Sequence, residues 1–378
     1  MKTRSRQTIA VVAGAALAWT AAVVVVAGQG ASAPKPPLVE SVFKNIQVLK
    51  GIPVDEFMGT MGIFSAALGV SCEECHAVRD RWEDYALDNT DKKATARRMV
   101  VMMSSINRGN FGGRQVVTCY TCHRGSERPK VTPSLAALYG ASPPEEPEDV
   151  IAQAAGAPSA DQILDKYIDA LGGTARLATL TSFVGKGTGA GYGPDADERP
   201  VEVFAKAPAQ RTTIIHTLDG ERTTTFDGSS AWIAAPHRPV PVLALSGGEL
   251  DGARLEAQLS FPGRIKEIIT KWRVGLPATI DDREVQVLQG TTAAGSLVTF
   301  YFDQSGLLAR LVRYADSRVG RMPTQIDYSD YRDVGGVKLP FRWTVTWLDG
   351  KDTITLTEVQ RNAPIDAAKF TQPAAPAR

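Results

Sequence analysis

The chain has 378 residues, with 42 Lys and Arg against 41 Asp and Glu, 43% apolar residues and only four Cys. That length suits about two domains plus tails, and 22% charged residues at near-zero net charge exclude a chain disordered throughout. No basic excess exists to hold nucleic-acid phosphates, and four Cys are too few to staple so long a chain with disulfides.

Residues 1–33 stand apart from any core. Lys2, Arg4 and Arg6 form a basic start, Thr8 to Gly30 is an uncharged run rich in Ala and Val, and Ala31-Ser32-Ala33 offers small residues of the kind a signal peptidase reads. This pattern directs the chain across a membrane with its positive end left behind, so the expected location is periplasmic. Pro34 disfavours cleavage directly after the triplet, and the apolar run is long enough to stay as an anchor. Cleavage to a soluble form and anchoring to the inner membrane by residues 8–30 therefore both stand. A core helix at the N-terminus is the plainer alternative.

Two helical patterns follow. Asp55 opens the first, with Phe57, Met61, Phe64 and Leu68 at i, i+4, i+7 and i+11. Asp91 opens the second, with Ala94, Arg98, Val101, Met102 and Ser105 running towards Asn107. Each helix leads through a loop to Cys-x-x-Cys-His: Cys72, Cys75 and His76, then Cys119, Cys122 and His123. All four Cys and two of the four His are used. The spacing is that of c-type haem attachment, where two thioethers hold one porphyrin and the following His binds its iron. The other readings are a four-Cys zinc site, a thioredoxin-like redox pair and two structural disulfides. The zinc reading has to span the 43 residues between Cys75 and Cys119 and leaves both His unexplained.

Each haem needs a second axial ligand or an open position. Met is the better-placed residue type, since Met58, Met61, Met99, Met102 and Met103 lie within 46 residues, whereas His216 and His237 lie far downstream. Periodicity does not choose among these Met, and any of them can simply fill a core. Arg97, Arg98, Arg114 and Arg124 are candidates for haem propionates, or are solvated charges. Glu73 and Glu74 are expected to be exposed.

Residues 42–130 resemble the photosynthetic reaction centre cytochrome c subunit family, and more closely its two-haem relatives. The match runs through Lys44-Asn45-Ile46-Gln47-Val48-Leu49, Phe57 to Met61, Ala96-Arg97-Arg98-Met99, Ile106-Asn107 and Val117 to Gly125. The resemblance implies Met61 as sixth ligand of the first haem and Met99 of the second, leaving Met58, Met102 and Met103 to packing. It also implies electron transfer. The family's subunit carries four haems, but this chain lacks the other two motifs. It also lacks the His that the family places between the second Met helix and the second motif, so two covalently bound haem c are expected.

Beyond Tyr139 the composition changes. Ala141 to Asp149 is rich in Pro and acid, and the linker is drawn over 141–158. Ser159 or Asp161 then caps a helix carrying Ile163, Leu164, Tyr167, Ile168 and Leu171, stopped by Gly172-Gly173. Strands are expected over 201–204, 211–217, 222–226, 231–234, 285–289, 297–303, 307–314, 325–331, 342–348 and 353–360, with turns such as Asp227-Gly228 and Asp349-Gly350 between them. Two helices are expected, over 249–259 and 263–271. His216 reads as an ordinary strand residue and His237 as a loop residue. Trp232, Trp272, Trp343 and Trp347 read as barrel packing, the last two on one strand face. Residues 160–373 resemble the periplasmic lipoprotein-carrier (Lol-type) fold, through Phe226-Asp227-Gly228 to Trp232, Phe302-Asp303 to Leu308 and Tyr328 to Pro340. That resemblance implies an apolar concavity.

The expected fold is α+β and multidomain. Residues 1–33 form a signal or anchor and 34–140 a small, mostly helical dihaem cytochrome c domain. The linker covers 141–158, and 159–378 form an antiparallel incomplete β-barrel with covering helices. The expected function is electron transfer between membrane-bound and soluble redox partners, with no catalysis and no nucleic acid. The β-domain then serves docking or binds a lipid or other hydrophobic ligand. The rivals are a haem peroxidase or cytochrome-linked oxidoreductase, and a lipid carrier with accessory haems.

Overall fold

The protein is described by a computed structural model covering residues 34–76, 82–140, 150–191, 196–236 and 238–376. The expected export segment 1–33, the Pro-rich stretch 141–149 and His237 lie outside the described residues. Among those described, no helix is long and apolar enough to cross a membrane.

The N-terminal part is helical: α1 (Val39–Val42), α2 (Val54–Leu68), α3 (Asp91–Phe111), α4 (Cys119–His123) and α5 (Leu135–Tyr139). Helix α2 starts after Pro53, and α3 after Thr90. Both end on a left-handed Gly, at Gly69 and Gly112, where a residue lacking Cβ closes the last turn without strain. The second half opens with α6 (Ala160–Ala170) and α7 (Thr174–Leu177) and later adds α8 (Gly247–Leu259) and α9 (Ile265–Ile268). Of the two caps expected, Ser159 rather than Asp161 caps α6, in a reciprocal box with Gln162.

The strands form two antiparallel meanders. The first is β1 (Ser182–Ala190), β2 (Arg199–Lys206), β3 (Gln210–Thr217), β4 (Gly220–Phe226), β5 (Ala231–Ala234) and β6 (Val242–Ala244). The second contains β7 (Ile269–Val274), β8 (Ala278–Ile280), β9 (Arg283–Thr292), β10 (Leu297–Phe302), β11 (Leu308–Ser317), β12 (Gly320–Asp333), β13 (Lys338–Trp347) and β14 (Gly350–Arg361). Pairing of β14 with β1 fuses them into one sheet. Strands β6 and β7 remain at its edges, with β8 beside β7 on the outer side of β9, so the sheet does not close. Along β12, Gly320, Met322, Thr324 and Ile326 are buried while the residues between them are half-buried, the period-2 signature of a strand covered on one face.

Helix α6 supplies Ile163, Leu164, Tyr167 and Ile168 to a core that also takes Phe183, Val201, Leu288, Phe300, Leu311 and Leu356 from strands of both meanders. The sheet therefore wraps round helices, as an incomplete barrel does. A cavity inside, beside Arg211, Glu256 and Tyr328, measures about 70 Å³, against roughly 300–1,000 Å³ for pockets that take ligands.

The structure departs from three sequence expectations. The helix over 263–271 is a short turn and α9, because Ile268-Ile269-Thr270 is β-branched and Ile269 already pairs with Thr292. Trp347 shares the strand parity of Trp343 but sits at the hairpin end and is exposed. The segment drawn as linker is tied to the sheet by Ile151, whose N–H donates to Gln289 Oε1 at 3.2 Å, and by Ala154, whose N–H donates to the Val274 carbonyl at 2.8 Å.

Candidate functional site

Helix α2 works on two faces. Phe57, Met61, Phe64 and Leu68, the face read from the sequence, line a cavity of about 720 Å³. Asp55, Gly59 and Gly62 recur at i, i+4 and i+7 on the opposite side and lie against the sheet half. Asp55 Oδ2 accepts hydrogen bonds from the backbone N–H and hydroxyl of Ser246 at 2.6 and 2.8 Å. A Cβ on Gly59 would lie 2.4 Å from Met322 Sδ, so only Gly permits this approach without a shift.

The first motif follows α2 as a single tight turn over Cys72–Glu74. Cys72, Cys75 and His76 line the same cavity as Met61, so the structure gathers all four residues expected of the first haem. Met58 lines it too. Nδ1 of His76 lies 2.9 Å from the Tyr85 carbonyl. A carbonyl only accepts, so Nδ1 carries the proton and donates, leaving Nε2 as the basic nitrogen. This is the arrangement that orients a metal-binding imidazole. Burial also pushes the His76 ring below the ordinary imidazole pKa, which favours the neutral form that a metal needs. The same Tyr85 carbonyl accepts a 2.6 Å bond from Lys93 Nζ, which fixes the turn that carries it. Tyr85 packs at a tilt between His76 and Trp82, with ring centroids 5.0 Å from each.

The second motif is α4 itself, capped by Thr118. It packs on the end of α2, where the Gly125 N–H donates to the Ala67 carbonyl at 2.9 Å. Nδ1 of His123 lies 3.1 Å from the Ser126 carbonyl, repeating the logic of His76. Met99, Cys119, Cys122 and His123 do not line the first cavity. Met99, Met102, Val116 and Tyr120 are instead exposed apolar side chains. Lys92, the second residue of α3, bridges the motifs by ion pairs to Glu74 at 2.6 Å and Glu127 at 3.1 Å.

Helix α3 corrects the sequence reading. Ala94, Arg98, Val101, Met102 and Ser105, the residues of its expected pattern, are all exposed, and the buried positions are Lys93, Val100, Met103 and Asn107. Two of these are polar and satisfy backbone groups. Asn107 donates to the Val117 carbonyl at 2.7 Å and accepts from the Val116 and Val117 N–H groups at 3.1 and 2.9 Å. A search for apolar periodicity passes over such residues. Met103 packs in the core, as expected of it, whereas Met102 is exposed.

Of the arginines considered for propionates, Arg97 lines the cavity, but its guanidinium holds Asp88 at 2.8 and 2.9 Å and keeps that carboxyl down at about 2. Arg98 donates to Thr95, and Arg114 to the Phe111 carbonyl. Glu73 and Glu74 are exposed, as expected. His216 sits on the sheet between Glu202 and Glu221, 3.4 Å from each. No disulfide joins the four cysteines. Among the described residues no group of three or more His, Cys, Asp and Glu converges on a metal position, so the two Cys pairs do not form one tetrahedral site.

The cavity, the thiol pairs and the oriented imidazoles fit a covalently held porphyrin. Sequence reasoning missed the carbonyls of Tyr85 and Ser126, which no residue type announces, and Lys93. It also missed Pro236, Arg238, Pro239, Pro241 and Asp349, contributed to the cavity by the sheet half more than 150 residues downstream.

Residues 8–143 match the family model described as photosynthetic reaction centre cytochrome C subunit. The photosynthetic reaction center cytochrome c subunit of Roseobacter denitrificans is 33% identical over 115 residues, covering 27% of this chain and 31% of that protein. That of Rubrivivax gelatinosus is 35% identical over 98 residues, covering 25% of each. The resemblance carried by the two motifs is thus shown, while the chain spans less than a third of the length of these curated relatives. Among solved structures, a LolA superfamily protein from Nitrosomonas europaea is similar at 17% identity and a TM-score of 0.39, over 57% of this chain and 98% of that one.

Proposed function

We propose that this protein is an exported dihaem c-type cytochrome that carries electrons between membrane-bound and soluble partners, and is not an enzyme. One haem would be held by Cys72, Cys75 and His76, the other by Cys119, Cys122 and His123. Met61 and Met99 would complete their iron coordination. A haem so held supplies one-electron exchange. The protein's part is to bind it covalently, orient each imidazole through a backbone carbonyl and keep the sixth position filled. A filled sixth position leaves no site for peroxide or oxygen, which sets electron transfer above the peroxidase reading. The observation that carries the proposal is the meeting of Met61, Cys72, Cys75 and His76 round one cavity, with His76 Nδ1 bonded to Tyr85. The family match over residues 8–143 supports it independently.

The sheet half serves docking in this reading, since the cavity beside Arg211, Glu256 and Tyr328, about 70 Å³, leaves little room for an acyl chain. Periplasmic location follows from the export segment.

Spectro-electrochemistry of the protein made with cytochrome c maturation machinery tests the proposal. Two covalent, low-spin haems are expected. Met61→His and Met99→His should each lower the potential of a different haem, because thioether ligation favours the reduced state relative to imidazole. Absence of covalent haem, or a high-spin oxidised form, would overturn the proposal.

A further inference from the structure

The first cavity has a wall that the helical segment does not make. The β5–β6 loop contributes Pro236, Arg238, Pro239 and Pro241, and the β13–β14 turn contributes Asp349. Proline has a fixed φ and no N–H, so this loop presents a stiff surface with few backbone donors. Asp349 stands by the first attachment turn. On the sheet-facing side of α2 a Cβ on Gly62 would lie 3.2 Å from Asp349 Oδ1, and burial, then the Asp349 charge, raises the Cys72 thiol above its ordinary pKa. Desolvation raises the Asp349 carboxyl above its ordinary range, and the charge of Arg238 acts in the opposite direction, so the two side chains feel one another. A carboxylate and a guanidinium from two separate sheet loops thus stand at the edge of the cavity.

We propose that these two loops set the reduction potential of the first haem, Asp349 lowering it and Arg238 raising it. This rests on the dihaem reading above. Oxidation of the iron adds one positive charge to the site. A nearby carboxylate stabilises that charge and a guanidinium opposes it. Both residues are exposed, so solvent screens them and the effect of each is small, on the order of a threefold change in the ferric-to-ferrous ratio. At about 59 mV per tenfold for one electron, that is roughly 30 mV.

The test is an optical redox titration of the full-length haem-loaded protein, resolved into its two midpoints. Asp349→Asn should raise one midpoint by about 30 mV, and Arg238→Gln should lower the same midpoint by a similar amount. Asp349→Glu, which keeps the charge, should stay near the wild type. The other midpoint should hold still in all three. Opposite signs are the discriminating result, because loosening of a purely structural wall moves both variants in one direction. Shifts of one sign, shifts in both haems alike, or no shift with haem content intact overturn the inference and leave the dihaem reading standing. Absence of covalent haem from the wild type overturns both.

Discussion

Asp55 shows how much depends on one side chain at the junction of the helical segment and the sheet. Its Oδ2 accepts both hydrogen bonds from Ser246, the residue that starts α8, while its buried Oδ1 has no partner among the described residues. Desolvation raises its carboxyl above the ordinary 3.8, and the bonds from Ser246 offset this only in part. A carboxyl that binds its proton more tightly when folded adds stability that is fully present below the unfolded value. That contribution is lost as pH rises through the folded one. Asp55→Asn removes the charge and keeps an acceptor for Ser246. The stability of the wild type relative to this variant should therefore fall between about pH 3.5 and pH 7. Asp55→Ala leaves the Ser246 N–H without its acceptor and should cost about 1–3 kcal/mol at either pH. Urea midpoints at the two pH values measure both effects. A wild-type advantage that grows with pH would refute the argument.

Among the elements, the most constrained contact is where α2 meets the loop after the second motif. Gly69 ends α2 at φ 66°, and a Cβ there would sit 2.3 Å from the Gly125 carbonyl oxygen. Gly112 ends α3 at φ 61° with nothing within 4 Å. Gly112→Ala should cost only the left-handed conformation, about 1–2 kcal/mol. Gly69→Ala should cost that and the displacement of Gly125, which lies two residues beyond His123. Thermal unfolding of both variants separates the two contributions, and equal losses would mean that the Gly69–Gly125 contact is not tight. The same geometry explains what the sequence conveyed at this scale. Strands with clean alternation and Gly turns were legible, down to Ala231–Ala234. Strand β1 was not, because Gly185, Gly187 and Gly189 lack the β-branched and aromatic side chains by which strands are recognised. A Cβ on Gly187 would lie 2.0 Å from the Thr355 carbonyl oxygen, beside a register shift, so the feature that hid the strand is the one its partner requires. Likewise the Cys-x-x-Cys-His motifs were plain from spacing alone. The cavity wall was not, because Arg238 and Asp349 reach the first motif only through the fold of the sheet.

For the molecule as a whole, the question is whether the helical segment can stand without the sheet. Its core joins Val39, Leu49, Ile52, Ile63, Val100 and Met103 to Ala315, Val319 and Met322 from the β11–β12 hairpin, and Val319 is fully buried. Gln115 adds a 3.0 Å bond to the Ser317 carbonyl. About 100 residues carrying so few buried apolar side chains bury too little surface to offset chain entropy comfortably. Loss of the hairpin uncovers the inner face of α2, where each large side chain exposed forfeits roughly 1.5–3 kcal/mol. Residues 34–140 produced alone should therefore attach haem at the four cysteines but melt without a sharp transition, whereas the full chain melts cooperatively. Soret-region circular dichroism against temperature reports both, since it follows the environment of the haem. The fragment matching the full chain in midpoint and steepness would show that the helical segment is self-sufficient and that the shared hairpin core adds little. A broad transition in the fragment, sharpened in the full chain, would make the sheet a working part of the cytochrome.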